Sequence, residues 1–131
     1  MKKIIFCFIF LFTIFNSQNL LATTLKDSVN HSERSEKNVL RDKFRNPLET
    51  LKFFEIEPSM TIIELSPGNG WYTEILSTYL YNQGKLIAAA YDPNLSDYAK
   101  RSRESYERKL KSKEIYNKVE IVNLFSKLSD D

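Results

Sequence analysis

The feature that most constrains the fold of this chain is a repeated succession of short apolar strand, turn and helix through its second half. Apolar runs predict strands over residues 60–65, 85–91 and 119–124. Helical spacing of apolar side chains predicts helices over residues 71–81 and 95–110 between them. Strands that alternate with helices across short links form parallel sheets with right-handed crossovers. The sequence therefore predicts an α/β fold with a parallel sheet of about three strands and flanking helices.

A further helix is expected ahead of the first strand. Asn46 stands before Pro47, and Glu49 follows three residues after Asn46. This order matches an N-cap residue, a proline in the first helical turn and the acid of a capping box. Pro58 and Ser59 are expected to end the helix before the strand begins.

Residues 1–22 have the composition of a secretory signal peptide. Lys2 and Lys3 precede an unbroken apolar run over residues 4–15, and a polar stretch then leads to Ala22. The run is shorter than the roughly 20 residues that a membrane-spanning helix needs. We therefore expect cleavage after Ala22 and export to the periplasm, with a membrane anchor formed by residues 4–15 as the alternative.

Cysteine content and charge argue against two classes of protein. Cys7, the only cysteine, lies inside the apolar run, so no disulfide framework is expected. Loss of Lys2 and Lys3 with the signal peptide lowers the 19 basic residues to 17, which equals the 17 acidic ones. A neutral mature chain gives no electrostatic case for binding nucleic acid. No group of side chains in the sequence indicates a metal site either.

Residues 23–40 are expected to form a flexible, solvated leader, because they are rich in Ser, Asn, Lys and Glu and lack apolar spacing. The single histidine, His31, lies in this leader and is expected to be solvated. Residues 41–131 then form the domain. Near its end, residues 100–113 are rich in Lys and Arg, which fall mainly off the apolar stripe and predict a solvated helix face.

The turn after the first strand is the expected ligand site, because parallel sheets bind ligands at the carboxyl ends of their strands. Gly68 and Gly70 would let the backbone approach a ligand, and the helix that follows offers free amides to a carboxylate. Glu64, at the strand end, suits a ligand ammonium group. Asp92, at the end of the second strand, is placed to accept hydrogen bonds from ribose hydroxyls.

Four segments carry a resemblance to a known family: R-D-K-F-R-N-P from residue 41, E-L-S-P-G-N-G-W-Y-T-E-I-L from residue 64, G-K-L-I-A-A-A-Y-D-P from residue 84, and R-S-R-E-S-Y-E-R-K-L from residue 101. The stretch over residues 41–125 resembles class I S-adenosylmethionine-dependent methyltransferases, and more closely a bacterial group of predicted, often exported methyltransferases. The resemblance implies a partial Rossmann-like sheet and S-adenosyl-L-methionine as cofactor. It places Glu64, Ser66, Gly68 and Gly70 in the cofactor motif and Asp92 at the ribose.

The motif departs from the general pattern of acid-x-Gly-x-Gly-x-Gly, because Ser66 stands where the first glycine usually falls. A dinucleotide fingerprint of G-x-G-x-x-G fails, since Thr73 occupies its third glycine position. An ordinary strand-to-helix turn remains the alternative for both glycines. Trp71 and Tyr72 are expected either to stack on an adenine or substrate ring or to pack against the preceding helix.

The resemblance also implies seven strands in the order 3-2-1-4-5-7-6, of which only the first three are found. The sequence after Phe125 is too short for a fourth strand, so we expect the N-terminal half of a methyltransferase-like domain, with Ile62 and Ile63 on an exposed edge that favours self-association. The expected function is that of a truncated methyltransferase-like protein whose catalytic residues and methyl acceptor stay unassigned. The alternative is a noncatalytic exported half-domain that binds a small molecule or another chain.

Overall fold

The computed structural model describes residues 24–124. The predicted signal peptide, its cleavage site and the last seven residues, 125–131, lie outside the described part of the chain. Within residues 24–124, no helix combines the length and the hydropathy that crossing a membrane requires.

Four short helices precede the sheet, and strands then alternate with longer helices. The first four are α1 (Leu25–Val29), α2 (Glu36–Val39), α3 (Asp42–Arg45) and α4 (Pro47–Phe53). The sheet segment comprises β1 (Thr61–Leu65), α5 (Trp71–Tyr79), β2 (Lys85–Ala90), α6 (Asp97–Leu110), a 3-10 turn (Glu114–Tyr116) and β3 (Glu120–Asn123). The three predicted strands are therefore present, each one or two residues shorter than predicted.

The strands form one open parallel sheet in the order β1-β2-β3. Ile63 lies beside Ile87 of β2, and Ala88 of β2 lies beside Ile121 of β3. The predicted α/β class with a three-stranded parallel sheet and flanking helices is confirmed. This arrangement is compatible with a Rossmann-like fold.

The two faces of the sheet differ in how they are covered. Ile62 packs against the apolar core around α5, and Glu64 hydrogen-bonds to α5, so alternate residues of β1 face the helices. Ile63 and Leu65 point to the opposite face, where they are 58% and 67% exposed. The prediction of an exposed apolar edge therefore holds for Ile63 and is wrong for Ile62, because Ile62 is on the helix-facing side.

α5 is the centre of the core. The buried apolar cluster consists of Leu51, Ile75, Leu76, Leu80 and Leu86, which come from α4, from α5 with its C-cap, and from β2. β1 contributes Ile62 to the rim of this cluster. The start of α5, and with it the turn after β1, is therefore fixed by packing on the helix side of the sheet.

The prediction of a flexible leader over residues 23–40 is wrong for the described part of that segment. α1 begins with a capping box in which the Thr24 hydroxyl accepts from the Asp27 amide at 3.1 Å, and α1 packs on α5. Arg34 and Asn38 are 6% and 4% exposed. The buried residues of this segment, Ser28, Arg34 and Asn38, are polar, and Leu25 and Val29 pack against the core. The absence of apolar spacing therefore does not indicate solvation. His31 is half-buried, and its Nδ1 accepts a hydrogen bond from the Glu33 amide at 3.2 Å.

Asn46 joins α3 to α4 in a different way from the predicted cap. Its backbone is left-handed at φ 43°, and its side chain makes no capping hydrogen bond. Asparagine tolerates this conformation better than most residues, so Asn46 ends α3 and turns the chain into α4. Pro47 occupies the first turn of α4 as predicted, and it is buried.

Candidate functional site

The turn over residues 66–70 joins β1 to α5 at the carboxyl end of the sheet. Three of its five residues have left-handed backbones, with φ of 50° at Ser66, 55° at Gly68 and 70° at Gly70. The Ser66 amide donates to the Ala89 carbonyl of β2 at 2.9 Å, which fixes the turn against the neighbouring strand. A left-handed serine costs conformational energy that a glycine would not, so its backbone is held there by the surrounding contacts.

The two glycines of this turn meet different surroundings. A Cβ at Gly68 would meet only the Ser66 carbonyl oxygen at 4.0 Å, so the space beside Gly68 is open. A Cβ at Gly70 would lie 2.7 Å from Lys109 Cε and 2.8 Å from Lys109 Cδ. The predicted room for a ligand is therefore found beside Gly68, whereas the space beside Gly70 is filled by a lysine from α6.

Glu64 lies at the start of a buried hydrogen-bonded chain. The Thr73 hydroxyl donates to Glu64 Oε2 at 2.6 Å, and the hydroxyls of Thr73 and Tyr106 are 2.9 Å apart. Because Thr73 has one hydrogen to give, Tyr106 is the donor to Thr73 when Glu64 is ionised. Burial raises the pKa of Glu64 from 4.5 to about 7, against the hydrogen bonds from Thr73 and the charge of Lys109, which lower it. This carboxyl group therefore changes charge near neutral pH.

The raised pKa of Glu64 predicts a pH-dependent stability that Glu64→Gln removes. Between about pH 4.5 and pH 7 the unfolded chain has released this proton while the folded chain keeps it. The free energy of unfolding of the wild type should therefore fall as pH rises across that window, relative to the glutamine variant. Urea denaturation at several pH values measures it, with the exposed Glu49→Gln as control. Parallel profiles for wild type and Glu64→Gln would contradict the burial of this carboxyl.

Asp92 lies just beyond the carboxyl end of β2 and is 6% exposed. Its Oδ1 accepts a hydrogen bond from the Asn94 amide at 2.9 Å, so part of its role is to cap the turn before α6. Its Oδ1 thus stabilises the turn, and its Oδ2 makes no hydrogen bond to a residue between positions 24 and 124.

The topology brings the predicted site residues to one edge of the sheet. β1 and β2 are adjacent and parallel, with Leu65 beside Ala89. The turn over residues 66–70 and Asp92 both follow these strands, so both lie past their carboxyl ends. Glu64 is part of the same edge, but its side chain points to the helix side and toward Thr73.

A buried polar network beside the site was missed from the sequence. Arg34 makes a bidentate ion pair with Asp42, with Nη1–Oδ2 at 2.6 Å and Nη2–Oδ1 at 2.8 Å. The Trp71 indole donates to Asp42 Oδ1 at 3.0 Å and to the Asn38 carbonyl at 2.9 Å. Trp71 is 3% exposed. The Trp71 side chain is therefore held by α2 and α3, whereas the expected packing partner was the helix before β1, and stacking on a ligand ring stays a prediction. The Tyr72 ring lies edge-on against the Trp71 ring, with the ring centroids 4.5 Å apart.

An apolar groove of about 440 Å³ runs along the outer edge of β1. Its lining residues come from α4, β1 and α5: Leu51, Phe54, Ile62, Ile63, Glu64, Leu65, Tyr72 and Leu76. A larger depression of about 620 Å³ lies between the end of α6 and β3 and is lined by residues of mixed charge. Neither Glu64, Asp92 nor any residue of the turn over residues 66–70 lines it.

No part of the chain that the structure describes brings together three or more His, Cys, Asp or Glu side chains that could hold a metal ion. The chemistry available at the carboxyl edge is therefore that of two acids, a glycine turn and the free amides at the start of α5. Comparisons with protein-family models, with curated proteins and with solved structures gave no match.

Proposed function

We propose that this chain is a methyltransferase-like protein that binds S-adenosyl-L-methionine at the turn over residues 66–70 and at Asp92. The observation that carries the proposal is the open, left-handed backbone at Gly68, with acids at the ends of both neighbouring strands. An anion-binding helix start, a glycine turn and a ribose acid suit a nucleoside with an amino-acid tail. The class I methyltransferase family remains part of this proposal.

Each group of the ligand has a chemical counterpart in the site. Asp92 has one carboxylate oxygen free to accept from ribose hydroxyls. The first amides of α5, a helix of nine residues, suit the carboxylate of the ligand. Glu64, whose Oε2 accepts a hydrogen bond from the Thr73 hydroxyl, is the acid that suits the ligand ammonium group. A bound ammonium would favour the ionised form of Glu64 and draw its pKa down from about 7.

The cofactor, when bound, would supply an electrophilic methyl group on its sulfonium. The part left to this chain is to hold and orient it, and the described residues offer no general base for a methyl acceptor. The acceptor is therefore left unassigned, and so are the catalytic residues. Export directed by residues 1–22 belongs to the same proposal, because it follows from the sequence of that segment.

Asp92→Ala should weaken binding of S-adenosylhomocysteine by about 1.5–3 kcal/mol, because a charge-assisted contact to the ribose is lost. Asp97→Ala is the matched control, since Asp97 is an exposed acid at the start of α6. Asp92→Asn keeps an oxygen for the Asn94 amide and separates loss of the ligand contact from loss of the turn. Isothermal titration calorimetry measures all three variants. Equal affinities of the wild type, Asp92→Ala and Asp97→Ala would refute the assignment.

An interaction module is the second candidate, and the exposed side of β1 favours it. Ile63 and Leu65 are more than half exposed, and within residues 24–124 their strand has one neighbour in the sheet. Contiguous exposed apolar surface next to unpaired strand backbone is typical of protein interfaces. In this function the chain would bind another polypeptide along β1, and the turn over residues 66–70 would only connect β1 to α5.

A further inference from the structure

We propose that Lys109 of α6 is a positioning residue for the turn over residues 66–70. Its side chain packs on Gly70 of that turn and donates a hydrogen bond to Glu74, which also binds Ser35 of the N-terminal segment, residues 24–45. The proposal rests on the proposed function for the identity of the ligand, and on the contacts of Lys109 for everything else. The aliphatic stem of Lys109 makes one contact, with Gly70, and its ammonium group makes another, with Glu74.

The aliphatic stem of Lys109 lies against Gly70. Its Cδ and Cε atoms fall at 2.8 Å and 2.7 Å from the position that a Cβ of residue 70 would take. Gly70 is the N-cap of α5 with a left-handed backbone, so the stem packs on the residue where the turn becomes a helix. The absence of a side chain at Gly70 therefore lets α6 approach the turn closely.

The ammonium group of Lys109 is held at a fully buried carboxylate. Its Nζ donates a hydrogen bond to Glu74 Oε1, and the Glu74 side chain is 0% exposed. Glu74 also accepts from the Ser35 amide at 3.2 Å and from the Ser35 hydroxyl at 2.8 Å. The Glu74 amide in turn donates to the Gly70 carbonyl at 3.1 Å. One carboxylate therefore joins α6, α5 and the N-terminal segment at the first turn of the helix.

Lys109 also acts on the charge of Glu64. The polar groups that face Glu64 from the packed helices are Thr73 on α5 and Tyr106 and Lys109 on α6, and its partner on β2 is Ala88. Lys109 is the cation whose charge lowers the pKa of Glu64. Loss of the ammonium group should therefore raise that pKa and leave less of the carboxylate ionised at neutral pH.

The stem contact is tested by a double-mutant cycle on the ligand-free protein. Gly70→Ala should lower the melting temperature more in the wild type than in Lys109→Ala, because removal of the stem relieves the clash with the new methyl group. Gly68→Ala is the matched control, since it carries the same left-handed strain in open space. Its effect should be equal in both backgrounds. Equal effects of Gly70→Ala in both backgrounds would overturn the stem contact.

The role of the ammonium group is tested with Lys109→Met, which keeps an apolar stem of similar length, and with the exposed Lys111→Met as control. Carboxyl NMR titration of Glu64 should give a higher midpoint in Lys109→Met than in the wild type, and an unchanged midpoint in Lys111→Met. A structural role alone would not move this midpoint. An unchanged midpoint in Lys109→Met would overturn the proposal, including in the case that the glycine variants fail to fold.

A ligand-binding measurement shows whether it is the role of Lys109 or the proposed function that fails. A raised midpoint lowers the ionised fraction of Glu64 at pH 7. Lys109→Met should then bind S-adenosylhomocysteine several-fold more weakly than the wild type at pH 7, with a smaller difference at pH 8.5. Equal binding at pH 7 would refute the positioning role. If the wild type does not bind, the proposed function is refuted, and the titration of Glu64 still decides the role of Lys109.

Discussion

Arg34→Met should lower the free energy of unfolding by about 3–5 kcal/mol, because it removes one partner of a buried ion pair. The Arg34 side chain is 0% exposed and holds Asp42 through two hydrogen bonds. Arg34 also donates a hydrogen bond to the Val29 carbonyl at the end of α1, and its Nε lies 3.9 Å from Glu74 Oε2. Its replacement removes a positive charge beside Asp42 and Glu74 near the start of α5. Acids that are shielded from water and lack a positive partner are costly to keep ionised.

Urea denaturation of Arg34→Met and of Lys37→Met measures this effect. Lys37 is exposed on α2, in the same segment, so its replacement should change the free energy of unfolding by less than about 0.5 kcal/mol. A large difference between the two variants is expected only if residues 24–45 are folded against α5. Equal stability of the two variants would mean that this segment is solvated in solution, as the sequence alone predicted.

The sheet and the edge that carries the candidate site could be predicted because their signals are local. Each strand is a short apolar run between turn residues, and a parallel order follows from the alternation of strands with helices. The positions of Gly68 and Asp92 past the ends of neighbouring strands follow from that order alone. Whether a ligand occupies this edge is a separate question, which the sequence answers only through a resemblance.

The N-terminal segment could not be predicted because its stability comes from contacts between distant residues. Ser35 and Glu74 are 39 positions apart, and Lys109 and Glu74 are 35 apart. Such pairs leave no periodic pattern in the sequence, and a buried Arg is indistinguishable from a solvated one in composition. For the same reason the turn motif predicts only ligand approach at Gly70, whereas the structure packs the side chain of Lys109, 39 positions further along the chain, against it.

The strand β1 shows how far a residue pattern can indicate burial. Its sequence, Thr-Ile-Ile-Glu-Leu, places at least one large apolar residue on each face, which is typical of a strand covered on both sides. In the described chain α5 covers one face and Ile63 and Leu65 remain exposed on the other. The pattern therefore predicts a surface that another polypeptide can cover, and β1 also has no Lys or Pro of the kind that protects edge strands.

Ile63→Lys should convert self-associated wild-type protein into monomers and raise its dissociation constant by about 100-fold or more. Burying one Ile or Leu side chain contributes about 1.5–3 kcal/mol. An edge-to-edge pair of β1 strands would place Ile63 and Leu65 of both copies side by side on one face of the continued sheet, where their cross-strand contacts bury part of each side chain. A lysine in the middle of the strand would also bring two like charges together in an antiparallel pair. The folded monomer should tolerate the change, because Ile63 is 58% exposed.

Size-exclusion chromatography with light scattering on the wild type, Ile63→Lys and Phe53→Lys measures this association. Phe53 is the matched control, because it is 81% exposed on α4 but has no place in the groove beside β1. If β1 is the interface, Ile63→Lys is monomeric while Phe53→Lys associates as the wild type does. Monomerisation by both variants would point to nonspecific apolar contacts, and a wild type that stays monomeric at high concentration would contradict self-association through β1. An Ile63→Lys protein that still associates as the wild type does would contradict an interface that depends on the exposed side chains of β1.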